Sequence, residues 1–126
     1  MLQNYINNIY KKYNLYARKE FWDLTADEIK EISNGCGAAN AAVDYVPDSI
    51  YGLKISVACD IHDFDYYTGG SKEDKILSDL MLLINILLII KQHRGNKFIQ
   101  TLRFSRAIKY FFMVDFFGED AFNFTG

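Results

Sequence analysis

At 126 residues, half of them apolar and about a quarter charged, the chain has the composition of one globular domain spanning residues 1–126, long enough to bury its own core. A net charge of -2 argues against nucleic acid as the main partner, which calls for a basic face. The most apolar run, Leu80 to Ile90, is too short to span a bilayer and contains Asn85, so no transmembrane segment is expected, and the opening MLQNYINNIYKK lacks the apolar core and cleavage site of a signal peptide.

In chain order, Ile6, Ile9, Tyr10 and Tyr13 recur at helical spacing with lysines, asparagines and arginine between them, which predicts an amphipathic helix over residues 3 to 20. It packs on the domain or lays its tyrosines on a lipid surface. Thr25 followed three places later by Glu28 forms a capping box that opens a second helix, which Asn34-Gly35 ends. A helix stopped there delivers carbonyls into the following turn, with Gly35 and Gly37 as the donors. From about Ser49 the chain is expected to turn into a central helix ending at Tyr67 or Thr68, its core part over about 55–67. Gly69-Gly70 closes it, and Ser71 with Asp74 caps a partner helix over about 72–92. So short a turn makes the two helices antiparallel neighbours. Lys91 to Lys97 is a polar break around Gly95, with His93 a surface residue at the carboxyl end of its helix. A last helix runs from about Phe98 to Phe117, carries Tyr110-Phe111-Phe112 and stops at Gly118. The strand signal is weak throughout, so the expected class is all-α: two antiparallel core helices with N- and C-terminal helices flanking them. The basic clusters Lys11-Lys12, Arg18-Lys19 and Lys97 to Lys109 read as solvated faces that remain available to anionic head groups.

The chemistry concentrates in ACDIHDFDYY, Ala58 to Tyr67. On a helix His62, Asp63 and Tyr66 share one flank, so a base, a carboxylate and a phenol look into the same crevice. Imidazole takes protons near neutral pH, and a carboxylate holds a hard cation such as calcium. If the hairpin pivots near Gly70, His62 meets Ser78 or Asp79 on the partner helix, while Glu73 and Asp74 stay near Tyr66 and the turn. Asp79 is the choice, because a carboxylate in so apolar a helix needs a partner and an imidazole supplies one. A metal-dependent phosphohydrolase is excluded: it needs a further upstream histidine, and the chain has only His62 and His93.

Cys59, His62, Asp63 and Tyr66 stand in the spacing Cys-x-x-His-Asp-x-x-Tyr, with Cys36-Gly37 upstream and Val46-Pro47-Asp48 before the helix. In this the chain resembles the phospholipase A2 superfamily, and within it the small, disulfide-poor microbial branch, from about Asn34 to Phe122. The resemblance implies calcium-dependent hydrolysis of the sn-2 ester of glycerophospholipids at a membrane or micelle surface. His62 is then the general base and Asp79 its orienting carboxylate. Tyr66 holds Asp79, as does Tyr110 unless it is an ordinary core residue. Asp63 is the calcium ligand, with the carbonyls of Gly35 and Gly37. It also implies a Cys36–Cys59 disulfide, which favours an exported protein although the chain starts without a leader. The loop Ala38-Ala39-Asn40-Ala41-Ala42 departs from the glycine-rich loop of the animal enzymes, and Asp44 or Asp48 can supply a further oxygen. The alternative is a phospholipase-like lipid- or protein-binding module without turnover. Oligomeric state stays open.

Overall fold

The computed structural model describes residues 8–33 and 48–125, and these are mostly helical. The first described element is a β-hairpin, β1 (Ile9–Lys12) paired antiparallel with β2 (Leu15–Arg18), in the register Ile9 to Arg18 and Lys12 to Leu15. This corrects the amphipathic helix expected over residues 3 to 20, of which residues 3–7 lie outside the described part. Tyr13 and Asn14 both take positive φ, 53° and 61°, the geometry of a two-residue hairpin turn that asparagine tolerates. Leu15 and Ala17 alternate with Tyr16 and Arg18 and turn inward, so the period is two and not 3.6. A tertiary contact secures the strand. The buried Asn85 side chain accepts from the Tyr16 amide at 2.8 Å and donates to the Tyr16 carbonyl at 2.8 Å, acting as a surrogate neighbouring strand. Only one turn of helix follows, α1 (Lys19–Trp22).

Helix α2 (Ala26–Ile32) carries the expected capping box between Thr25 and Glu28 and ends at Ser33. The expected stop at Asn34-Gly35 lies outside the described residues. A second small hairpin, β3 (Ser49–Ile50) with β4 (Leu53–Lys54), turns at Tyr51-Gly52 with φ of 45° and 79° and buries Ile50 and Leu53. The chain therefore does not enter the central helix at Ser49.

That helix, α3, spans Ser56–Thr68, and Gly69 and Gly70, with φ of 72° and 136°, send the chain back as α4 (Lys72–Gln92). Gly69 is required here, because a Cβ would collide with the carbonyl of Asn123. Ser71 and Asp74 form the expected box at the start of α4. Helix α5 (Lys97–Phe117) runs antiparallel to α4: Gln100 donates to the Ile90 carbonyl near one end, and Lys75 reaches the Asp115 carbonyl near the other. A short 3-10 turn, Glu119–Ala121, follows Gly118. The core lies between these helices and the first hairpin, with Ile55, Ala58, Ile61, Ile86 and Ala107 almost fully buried. Sequestering such side chains contributes about 1.5–3 kcal/mol for each large one. Among the described residues no helix is long and apolar enough to cross a membrane.

Candidate active site

The hairpin of α3 and α4 brings His62 and Asp79 together in the interior. His62 Nε2 lies 2.8 Å from Asp79 Oδ1, with His62 6 % exposed and Asp79 fully buried. The Tyr66 hydroxyl, one turn beyond His62 on the same flank, donates to that oxygen at 2.5 Å. Its ring lies 4.2 Å from the imidazole, centroid to centroid, and Phe122 closes its other side edge-on at 5.1 Å. Gly118 makes room for this arrangement, since a Cβ there would stand 2.5 Å from the Tyr66 hydroxyl oxygen. Burial alone would raise the Asp79 carboxyl, but hydrogen bonds from His62, Lys75 and Tyr66 and the charge on His62 outweigh it and hold the group below its ordinary value. Burial first, and then the neighbouring Asp79 charge, push the Tyr66 phenol far above its ordinary value, so it stays a donor.

The third donor to Asp79 was not anticipated. Lys75 is buried on α4, and its Nζ sits 2.8 Å from Asp79 Oδ2 and 3.3 Å from the backbone carbonyl of Asp115 on α5. It takes the place that Tyr110 was expected to share. Tyr110 is buried on α5, but its electrostatic neighbours are Arg106 and Tyr51, and no bond to Asp79 forms. The reason is direction. The antiparallel pairing of Gln100 with Ile90 and of Asp115 with Lys75 sets Tyr110 about level with Asp79, but its neighbours are Tyr51 and Arg106 and not the carboxylate. The Lys75–Asp79 spacing of four was the available signal, since such pairs face each other on a helix.

A second polar group was also missed. Arg18 at the end of β2 donates through Nε to the fully buried Asp65 at 3.1 Å, tying the first hairpin to α3. The two residues are 47 positions apart, so no local pattern announces the pair.

Asp63 is half-buried and follows His62 on α3. Ser33, at the end of α2, places its hydroxyl 3.0 Å from Asp63 Oδ2 and 2.6 Å from Asp60 Oδ1. Asp60 lies three residues before Asp63 and on the same flank. Burial holds its carboxyl above the ordinary value against the Ser33 bond, and the Asp48 charge pushes the same way. Two carboxylates that converge on one hydroxyl are hard oxygen donors of the kind calcium takes. In that sense the residues present fit the ion. Among the described residues no group of three or more His, Cys, Asp or Glu side chains is arranged to hold a metal. The expected donors Gly35 and Gly37, and Asp44, lie outside the described residues, as does Cys36. Cys59 is buried and is not a free thiol.

Comparisons with models of protein families, with curated proteins and with solved structures found no match. What the site can do is therefore read from its atoms. A buried imidazole with Nε2 engaged by a carboxylate presents Nδ1 as its second nitrogen, and its ring orientation is fixed by Asp79. Asp79 is fixed in turn from two further directions, by the phenol on α3 and by the ammonium on α4. His93, by contrast, is exposed, with Nδ1 2.8 Å from the Ile89 carbonyl, and its own carbonyl accepts from Gln100 of α5 at 3.1 Å.

Proposed function

We propose that the chain is a calcium-dependent phospholipase of the A2 type, with a phospholipase A2-like helical fold, that cleaves the sn-2 ester of glycerophospholipids into a free fatty acid and a lysophospholipid. The observation that carries this reading is the buried pair of His62 Nε2 and Asp79 Oδ1 at 2.8 Å, on antiparallel helices, with Asp63 beside the histidine on the same helix. It is the arrangement that the residues resembling the phospholipase A2 superfamily lead one to expect.

In this mechanism His62 Nδ1 takes a proton from water as the water oxygen adds to the ester carbonyl. The imidazolium then returns that proton to the glycerol oxygen as the carbon–oxygen bond breaks, so the acyl group leaves as fatty acid. A base positioned in this way contributes about 10²- to 10⁴-fold. Asp79 holds the tautomer with the proton on Nε2 and stabilises the imidazolium. Tyr66 and Lys75 hold Asp79 as a carboxylate in one orientation. Asp63, with Asp60 near it and the carbonyls of Gly35 and Gly37 from the loop, would hold calcium. When bound, that ion supplies polarisation of the ester carbonyl and charge opposite the developing oxyanion. A Cys36–Cys59 bridge would tie that loop to α3.

The test is fatty-acid release from phospholipid labelled in the sn-2 chain, by the wild-type chain and by His62→Gln. Release that falls at least a hundredfold in the variant, with its helical signal unchanged, supports the assignment. Equal release from both would show that His62 is not the base.

A further inference from the structure

From Lys91 to Lys109 the sequence carries six basic residues, Lys91, Arg94, Lys97, Arg103, Arg106 and Lys109, and no aspartate or glutamate, in a chain whose net charge is -2. This segment is the end of α4 and most of α5. Along α5 a row of apolar side chains faces outward every four residues: Phe104, Ile108, Phe112 and Phe116 are 48 %, 36 %, 54 % and 76 % exposed. Spacing of four keeps them on one flank. Phe98 in the first turn is 70 % exposed. Single exposed apolar residues are ordinary on a protein surface, but a row of phenylalanines along one helix is not.

We propose that this flank of α5 docks the protein on the surface of an anionic lipid bilayer. Phenylalanine rings on one flank of a basic helix are what an interfacial helix needs: the rings enter the boundary between head groups and acyl chains, and the exposed Lys97 and Lys109 meet the lipid phosphates, whereas Arg103 and Arg106 hydrogen-bond Tyr51. Each basic side chain near an anionic surface strengthens binding roughly fivefold. Charge also decides against a second copy as the occupant, because a two-fold contact would set this basic segment against itself. The contact is peripheral, since no described helix is long and apolar enough to cross the membrane.

The same helix touches the site. Its Asp115 carbonyl receives Lys75, and Gly118 just beyond its end accommodates Tyr66. Docking through α5 therefore fixes the crevice of His62 and Asp79 relative to the lipid. That consequence rests on the hydrolase reading, whereas docking itself does not.

The test is co-sedimentation of the full chain with vesicles of phosphatidylcholine alone and of phosphatidylcholine with an equal part of phosphatidylglycerol, in a chelator so that neither turnover nor calcium bridging contributes. At least tenfold stronger binding to the anionic vesicles is expected, weakening as salt is raised. Phe112→Ser with Phe116→Ser, and separately Lys97→Glu with Lys109→Glu, should each lower it at least tenfold. The first pair should leave hydrolysis of a soluble, monomeric short-chain phospholipid unchanged. Equal binding to both vesicle types, or variants that bind like wild type, would overturn the proposal. So would loss of a dimer in the variants, or a preference for single-stranded RNA over vesicles. Vesicle binding without any hydrolysis would leave docking standing and remove the hydrolase reading, and hydrolysis of the monomeric substrate without vesicle preference would do the reverse.

Discussion

Lys75 Nζ lies 2.8 Å from Asp79 Oδ2, one helical turn away, while His62 Nε2 lies 2.8 Å from Asp79 Oδ1. The carboxylate thus faces an imidazole on one oxygen and an ammonium on the other, all three side chains buried. Desolvating Asp79 alone would cost several kcal/mol, and the ammonium offsets it without any change in the imidazole.

Replacing Lys75 by methionine keeps the volume and removes the charge. Breaking one side of a buried pair costs on the order of 3 kcal/mol, so the urea midpoint should fall clearly at pH 7. Lys75→Arg should recover part of the loss. If the methionine variant matched wild type, the cation would have no structural role.

The same variant should change how stability depends on pH. The Asp79 carboxyl is held below its ordinary value of 3.8 in the folded protein, so its contribution is fully present above about pH 4. It is lost as pH falls below that, because the unfolded chain takes up a proton that folded Asp79 refuses. Asp60 and Asp115 are shifted upward, mainly by burial, and act in the opposite sense, so the comparison is between variants. Stability measured from pH 5 to pH 2 should fall less steeply for Lys75→Met than for wild type. Parallel curves would show that Lys75 does not set the Asp79 proton.

Gly118 lies against Tyr66. A Cβ at this position would meet the Val114 carbonyl oxygen of its own helix and, at 2.5 Å, the Tyr66 hydroxyl oxygen. Gly118→Ala should therefore lower the rate of any His62-dependent hydrolysis about as much as Tyr66→Phe does, and adding Gly118→Ala to Tyr66→Phe should cost little more. Additive losses in this double-mutant cycle would mean that the glycine acts elsewhere.

Asn85 should carry the first hairpin. With Asn85→Leu both the N–H and the C=O of Tyr16 lose their partner, at about 1–3 kcal/mol for each group left unsatisfied. Hydrogen exchange in β1 and β2 should accelerate before that in α3 and α4. Uniform acceleration would show that the hairpin is not separately held.

The long helices were legible in the sequence because their signals are local. Ser71-Asp74 marks the start of α4, Gly69-Gly70 the turn and Gly118 the end of α5, and the antiparallel return that they define was enough to pair His62 with Asp79. The hairpins were not legible. Ile9, Tyr10 and Tyr13 fit a helical period as well as a strand, and what decides is the amide of Asn85 on a helix about seventy residues later. Lys75 was readable from its spacing to Asp79, but a lysine in the first turn of a helix suggests solvent, and its burial depends on α5 closing over it. The Arg18–Asp65 pair depends on the same long-range packing.

The most direct measurement is release of fatty acid from phospholipid carrying separate labels in the sn-1 and sn-2 chains, with calcium and then with a chelator. Release of the sn-2 chain that requires calcium and is lost in Asp63→Asn is expected, with the sn-1 chain retained on the lysophospholipid. Release of both chains, release indifferent to the chelator, or no release from folded protein on several head groups would contradict that expectation.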